Sequence, residues 1–434
     1  MGGVRYGGRI GPNAHFRVYG KYADRDGVVL LNGVGFPNDW TMGQGGFRVD
    51  WDASPADALT LQGDLYENEV HLPGPAKPVN NGGNVTARWS HRMSDRSDLR
   101  VQAYVERVHR DLPTNYDDVL TTYDLDVQHR IALGRRNEIV WGMGFRQVED
   151  DFRNPAVPPA FQRASLSTFS AFAQDEIALV PDRLHLTLGT KVEHNEYTDV
   201  ELQPSARLAW QATARQTFWT AVSRAVRTPS RLDHDLLPGA DFVSEKLLAY
   251  ELGYRAQAAE RLSLSVAAFY HDYDDVRSIE LVGGIPTILN GQEGESYGLE
   301  STARYRVSNR WQLQASFTEL RVDIRPKPGS ADSTFGASEA ADSRHQLFVR
   351  SYLDLPANLS LDAGYRYVSR IANPRAPTPD YSELDLRLAW VPTPKLELSI
   401  VGQSLLHDRH AEFGDTQSEP IIRRGVYTKA MWSF

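Results

Sequence analysis

Val426-Tyr427-Thr428-Lys429-Ala430-Met431-Trp432-Ser433-Phe434 closes the chain and decides how the rest is read. Val426, Thr428, Ala430, Trp432 and Phe434 fall on one face of an extended segment. Tyr427, Lys429, Met431 and Ser433 fall on the other, because successive strand side chains point to opposite sides. A terminal strand is ordinarily frayed and polar. This one stays amphipathic to its last residue, which predicts a strand closing a barrel with its aromatic end at a membrane interface.

The same two-residue period runs through the chain, and helical periodicity is nearly absent. Leu99, Val101, Ala103 and Val105 alternate with Arg100, Gln102, Tyr104 and Glu106. Leu184, Leu186 and Leu188, then Leu359, Leu361, Ala363, Tyr365 and Tyr367, and Leu384, Leu386, Leu388 and Trp390 repeat the pattern. Strands of about 9 to 15 residues exceed the globular norm and suit tilted membrane crossings. Tight turns centre on Gly11-Pro12-Asn13, Pro55-Ala56-Asp57, Ser94-Asp95-Arg96, Gly134-Arg135-Arg136, Pro181-Asp182, Thr213-Ala214, Ala259-Glu260, Ser308-Asn309, Pro356-Ala357-Asn358 and Pro392-Thr393-Pro394. Their Gly, Pro, Asn and Asp content is turn chemistry. Longer segments lie between them, about 23–42, 70–81, 110–117, 150–164, 197–202, 227–246, 276–294, 324–343, 371–379 and 408–421. Strict short/long alternation predicts an all-β, transmembrane antiparallel β-barrel with short periplasmic turns and long extracellular loops. Twenty connections predict 21 strands. Bacterial single-chain barrels hold an even number, so one ascending strand before Met1, giving 22, is expected.

Composition narrows the alternatives. The 434 residues carry a net charge of −9, which argues against a nucleic-acid partner. No cysteine means no disulfide, thiolate metal site or cysteine nucleophile. Mean hydropathy is −0.45, and no window matches a membrane helix; a membrane barrel leaves no such trace. The opening MGGVRYGG has neither the basic start nor the apolar stretch of an export signal. Met1 followed at once by strand sequence reads as a fragment or a truncated gene model. A soluble propeller would repeat every 40 to 50 residues or so with blade motifs, and none is seen. Motifs for serine hydrolases, phosphate loops and zinc peptidases are absent, so an enzyme is not expected, nor a cofactor.

Five segments, in order, resemble the barrel of TonB-dependent outer-membrane transporters. Val4-Arg5-Tyr6-Gly7-Gly8-Arg9 with Phe16-Arg17-Val18-Tyr19-Gly20-Lys21-Tyr22 looks like the early hairpin. Ala221-Val222-Ser223-Arg224-Ala225-Val226-Arg227-Thr228-Pro229-Ser230 is similar to the mid-barrel SRA-x-R-x-P segment and is the most specific match. Tyr250-Glu251-Leu252-Gly253-Tyr254-Arg255, Ser296-Tyr297-Gly298-Leu299-Glu300 and Arg423 through Phe434 resemble later strands. The resemblance implies that residues 1–434 form one barrel domain, from which an N-terminal plug and TonB-binding segment are missing. It implies a cell outer-membrane, TonB-coupled transporter of a scarce nutrient in a Gram-negative bacterium. The ligand would most often be a ferric siderophore or other iron complex; cobalamin, haem, an oligosaccharide or a passive porin are the alternatives. Partners implied are outer-membrane lipid, lipopolysaccharide, the iron-siderophore-type ligand, and TonB through the missing region only. Phe434 is implied as an assembly signal.

Candidate ligand contacts are aromatic, basic or histidine residues on or near loops, suited to anionic chelates: Trp40, His71, Tyr116, Arg231, His234, Arg325, Arg375, His410 and Arg424. Ordinary loop polarity explains each of them singly. Arg224 and Arg227 read better as wall ion pairs, with a partner such as Glu251, than as ligand contacts. Asp233-His234-Asp235 cannot easily converge on one metal ion from an extended loop. Asp272, Asp274 and Asp275 read as a solvated rim before a calcium or lipopolysaccharide-bridging site. Trp51, Trp89, Trp141, Trp210, Trp219 and Trp390 read as an interface girdle.

Overall fold

The computed structural model describes residues 1–30, 32–72, 77–113, 115–154, 162–235, 242–332, 334, 342–371, 377–412 and 420–434. In chain order the strands are β1 Gly2–Ile10, β2 Ala14–Arg25, β3 Val28–Leu30, β4 Gly35–Phe36, β5 Trp40–Asp52, β6 Asp57–Val70, β7 Val79–Ser94, β8 Ser97–Leu112, β9 Tyr116–Leu133, β10 Asn137–Arg153, β11 Arg163–Val180, β12 Leu184–Asn195 and β13 Asp199–Thr213. They continue as β14 Gln216–Arg227, β15 Glu245–Ala259, β16 Leu262–Val282, β17 Ile285–Ser308, β18 Trp311–Pro326, β19 His345–Leu355, β20 Leu359–Val368, β21 Tyr381–Thr393, β22 Leu396–Gln403, β23 Arg409–His410, β24 Pro420–Arg423 and β25 Gly425–Trp432. One helix, α1 Arg231–His234, lies between β14 and β15.

Twenty-one of the strands form one antiparallel meander, each paired with its sequence neighbours from β1–β2 and β2–β5 round to β22–β25. The predicted count of 21 is the count seen among the described residues. Among the described residues no ladder joins β1 to β25. The all-β barrel reading therefore holds. No helix among the described residues is long and apolar enough to cross a membrane, which says nothing about a barrel.

All ten predicted tight turns form, two to four residues long, at one end of the sheet. Gly11, Gly134, Asp182, Ala357 and Asn358 take positive φ there, the conformation that tight hairpin turns require. The opposite end varies more than strict alternation allows. Segment 197–202 is no long loop: β12 and β13 join through residues 196–198, where the Asn195 side chain accepts from the Tyr197 and Thr198 amides at 3.0 and 2.9 Å. Segment 276–294 is mostly strand, because β16 and β17 run on to a two-residue turn at Gly283-Gly284, with φ of 60° and 84°. These two strands, 21 and 24 residues long, overreach any bilayer.

The sheet is apolar on its outside. Val18, Phe47, Leu61, Val85 and Val105 follow one another across neighbouring strands and are exposed, as are Leu388, Ile400 and Val426. The other face carries ion pairs such as Arg48–Asp50 at 2.7 Å and Arg387 with Asp362 and Glu397 at 2.8 and 2.6 Å. Buried large apolar side chains are few, Phe242 being the bulkiest. Period two thus sorts polar residues inward and apolar residues outward, the inverse of a water-soluble sheet protein.

The tryptophans sharpen the girdle reading. Trp51, Trp89, Trp141, Trp210, Trp311, Trp390 and Trp432 are exposed and lie within a few residues of the tight-turn end. Trp40 alone begins a strand at the other end. Trp219 departs from the girdle. Its neighbour Phe218 shares the outer face with Trp210 and Tyr254, at ring distances of 5.7 and 4.7 Å. Trp219 therefore points into the lumen, where Arg207 stacks on it at 5.2 Å.

Candidate functional site

The long-connection end holds the candidate site. Its centre is α1, nucleated locally by a capping box. The Ser230 hydroxyl accepts from the Asp233 amide at 3.3 Å, and the Asp233 carboxylate accepts from the Ser230 amide at 3.0 Å. Asp233 is only 3% exposed. Burial pushes its carboxyl up, yet hydrogen bonds from Ser230 and Arg227 outweigh this and hold it below the usual value. Arg227 at the end of β14 bridges Asp233 at 3.0 Å and both oxygens of Glu245 at 2.7 Å. The wall-pair reading of Arg227 and Arg224 is right in kind, but Glu251 is not the partner. Arg224 instead pairs with Glu201 at 3.4 Å and donates to the Leu202 carbonyl. A two-residue sheet period predicts that a partner exists; only the register between β13, β14 and β15 says which.

A second layer joins distant strands. Arg231, its side chain 10% exposed, pairs with Asp150 of β10 at 2.6 Å and with Asp235 at 3.3 Å. Tyr197 donates to Asp235 at 2.8 Å and lies against the His234 ring at 4.3 Å. His234 contacts Asp235 at 2.9 Å. Burial, then the Asp235 bond, raises the Tyr197 hydroxyl's pKa. Asp118 of β9 faces Asp150, and both lie beyond Tyr123 and Phe145, the outermost exposed apolar residues of their strands. Burial, then repulsion by Asp150, lifts Asp118 to about 6; Arg110 and Arg231 oppose the rise.

A third cluster stands on β21. Glu383, buried, is hydrogen-bonded to His407 Nδ1 at 2.9 Å, and His410 Nδ1 lies 3.0 Å from the same carboxylate without hydrogen-bond geometry. His410 also reaches Glu412 at 2.9 Å, which Arg366 holds at 2.6 Å, and Tyr381 packs on the His410 ring at 4.8 Å. His410 belongs to a four-stranded sheet of β23, β24, β3 and β4 that ties residues 28–36 to residues 409–423.

All the described sequence candidates sit at this end. Trp40 receives Arg25 at 5.6 Å, and His71 meets Asp39 at 2.7 Å. Tyr116 stacks on Phe152 at 5.6 Å. Arg325 pairs with Glu293 at 3.3 Å and Arg424 with Asp408 at 3.1 Å. Arg375 lies outside the described residues. Two pairs are brought close, Arg231 with His234 through Asp235, and Trp40 with His71 through Asp39. His410 and Arg424 flank one short ladder, where His410 pairs with Ile422 and the Arg424 amide donates to the Asp408 carbonyl at 3.2 Å. Asp274 and Asp275 are drawn to lysines: Lys327 reaches both at 2.6 Å and Lys246 reaches Asp275 at 2.5 Å. Asp118, Asp150, Tyr197, Glu245 and Glu383 were not candidates from sequence. Their only sequence signal is position at the outer ends of strands.

The family model described as "TonB dependent receptor-like, beta-barrel" matches residues 2–403. Pesticin receptors of Yersinia enterocolitica and Yersinia pestis are 26% identical over 215 residues, 45% of this chain and 30% of their own length. The FrpB iron transporter of Neisseria meningitidis superposes with a TM-score of 0.83 at 13% identity, covering 100% of this chain and 79% of that one. The siderophore receptor PirA of Acinetobacter baumannii gives 0.82 at 13% identity, covering 100% and 77%. At these identities the superpositions establish the fold alone.

Proposed function

This chain belongs to the TonB-dependent receptor-like β-barrel family, and from that premise we propose that it is the barrel of an outer-membrane transporter for a scarce nutrient. The observation that carries this is the inverted sheet, with apolar side chains outward above a belt of seven exposed tryptophans. Such a surface is stable only against lipid. In this reading the tight turns face the periplasm and the clustered rim faces outside.

The ligand we assign is an iron complex, a ferric siderophore in the first instance. An iron transporter and a siderophore receptor share the fold, and arginines, histidines and aromatics gather at the outer rim, the chemistry that grips anionic chelates. Most rim cations are neutralised within the chain, so they hold the loops in place and leave stacking surfaces such as Tyr116 for the ligand. Lipopolysaccharide would meet the outer band. Phe434, exposed beyond β25, would serve as the assembly signal. The intact protein would carry a plug, a TonB-binding segment and one strand ahead of β1; of these, the even strand number of bacterial barrels and the lack of a β1–β25 ladder among the described residues support the extra strand alone. Proton-gradient energy would then reach the barrel through TonB.

Iron-starved growth of cells with and without the intact gene, scored across a siderophore panel, tests the assignment. Growth restored by one ferric siderophore supports it, and rescue by cobalamin alone overturns it. A chain that stays monomeric in buffer without detergent, and gives no conductance in bilayers, would end the membrane reading.

A further inference from the structure

Seven of the ten tight turns place a basic residue immediately before the next strand: Arg96, Arg136, Arg183, Arg215, Arg261, Arg310 and Lys395. The position is structurally equivalent in every turn. The carbonyl of each accepts a backbone amide from a neighbouring strand, as Ala132 to Arg96 at 2.8 Å, Gln211 to Arg183 at 2.7 Å and Ser433 to Lys395 at 2.7 Å. The three remaining turns make the same bond with Asn13, Ala56 and Asn358 at that position. The turn therefore forms without a cation, and the side chain there answers to something other than turn geometry.

All seven side chains are exposed, and among the described residues none has an ion-pair partner. Among the described residues Arg261 alone of the seven makes a side-chain hydrogen bond, to the Val307 carbonyl at 3.2 Å. The turn residues together carry eight basic and three acidic side chains, a net of +5, in a chain whose formal charge is −9. The cations sit just beyond the indole belt. Trp311 follows Arg310 directly, and Trp210 and Trp432 pair with Leu184 and Leu396, the residues after Arg183 and Lys395. One residue of strand is about 3.3 Å. Indoles favour the boundary of the hydrocarbon, and long cationic side chains reach from there to the headgroups.

We propose that this ring binds the phosphates of anionic phospholipids in the leaflet that meets the tight turns. The inference rests on the membrane reading above. A lipid leaflet is favoured over an acidic protein because the cations are spread over seven of the ten hairpins, from the turn before β8 to the turn before β22, with only the turn before β20 lacking one in between, and a leaflet follows the whole rim where a globular partner covers one patch.

The test reconstitutes the full chain in nanodiscs of equal phosphatidylglycerol and phosphatidylcholine, extracts it in mild detergent and measures the two lipids retained. A single basic residue near an anionic surface gives about a fivefold preference at low salt, so retention should favour phosphatidylglycerol at least that strongly. A variant with all seven changed to Gln should fall to an even ratio. Should that variant fail to insert, the unaltered chain in about 0.5 M NaCl, where surface charge is screened within a few ångströms, must lose the preference. Millimolar inorganic phosphate should leave it intact; loss of the preference there would make this a general phosphate site and overturn the lipid assignment. An even ratio in the unaltered chain, or an undiminished one in the Gln variant, overturns the proposal while leaving the membrane reading standing. Failure to insert into any disc would strike that reading instead.

Discussion

The two ends of the barrel handle charge in opposite ways. At the outer end many of the described cations are matched: Arg227 by Asp233 and Glu245, Arg231 by Asp150 and Asp235, Lys327 by Asp274 and Asp275, Arg366 by Glu412. At the inner end seven turn cations stand without ion-pair partners among the described residues. The contrast follows from what each end must build. Outer connections run to nearly twenty residues and cannot bury much apolar surface, so hydrogen-bonded charge fixes their shape. Inner turns of two to four residues are fixed by backbone geometry alone, which frees their side chains for contacts outside the chain.

Substitutions at the two ends should separate these roles. The largest effect is expected from Asp233→Ala, which leaves Arg227 with Glu245 as its one carboxylate partner among the described residues and removes the cap of α1. Breaking a buried pair and a cap costs about 3 kcal/mol of local stability, read as faster amide exchange over residues 230–235 with insertion unchanged. Equal exchange would remove Asp233 as the anchor of the rim. Arg231→Gln should loosen the same region by about 2 kcal/mol, since Asp150 and Asp235 lose their cation. It should also carry the Asp118 titration to higher pH, followed by carboxyl NMR.

Asp118→Asn is the sharper probe, because it should act in the opposite direction. The folded value of Asp118, about 6, lies above its unfolded one. The folded rim thus holds an extra proton between about pH 4 and 6, is firmest in acid and weakens as pH rises through that window. Removing the carboxylate should firm the rim at neutral pH by about 1 kcal/mol after screening and flatten the pH dependence of loop exchange. An unchanged slope would mean that the Asp118–Asp150 pair does not titrate there. The smallest effect is expected at the inner end. Arg215→Gln should change folding stability by less than about 0.5 kcal/mol, measured by urea unfolding in vesicles; a larger loss would show that the turn cations hold protein and not lipid.

Most of the barrel was legible in the residues. All ten tight turns and the strand count could be read because period two and Gly, Pro, Asn and Asp chemistry are local signals. What escaped depends on distance in sequence or on parity. Asp150 and Arg231 lie 81 residues apart, and nothing near either announces the other. Trp219 was read as girdle because it sits near a strand end like the rest, and only the pairing of Phe218 with Trp210 turns it inward. Strands β3, β4, β23 and β24, two to four residues each, are too short to show a period and read as loop.

That small sheet has a consequence for how the barrel assembles. Ile421 pairs with Val29 and Pro420 with Leu30, contacts between segments from opposite ends of the sequence. Every ladder of the main sheet joins neighbours and can zip as the chain emerges, whereas this clasp waits for residues 420–423, nearly four hundred positions after its partner. A loop of such length closes at a cost that grows only slowly with length, but contacts of such separation form late. The clasp therefore closes late: it ties the connection after β2 to the connection before β25, and can do so only once residues 420–423 have been made.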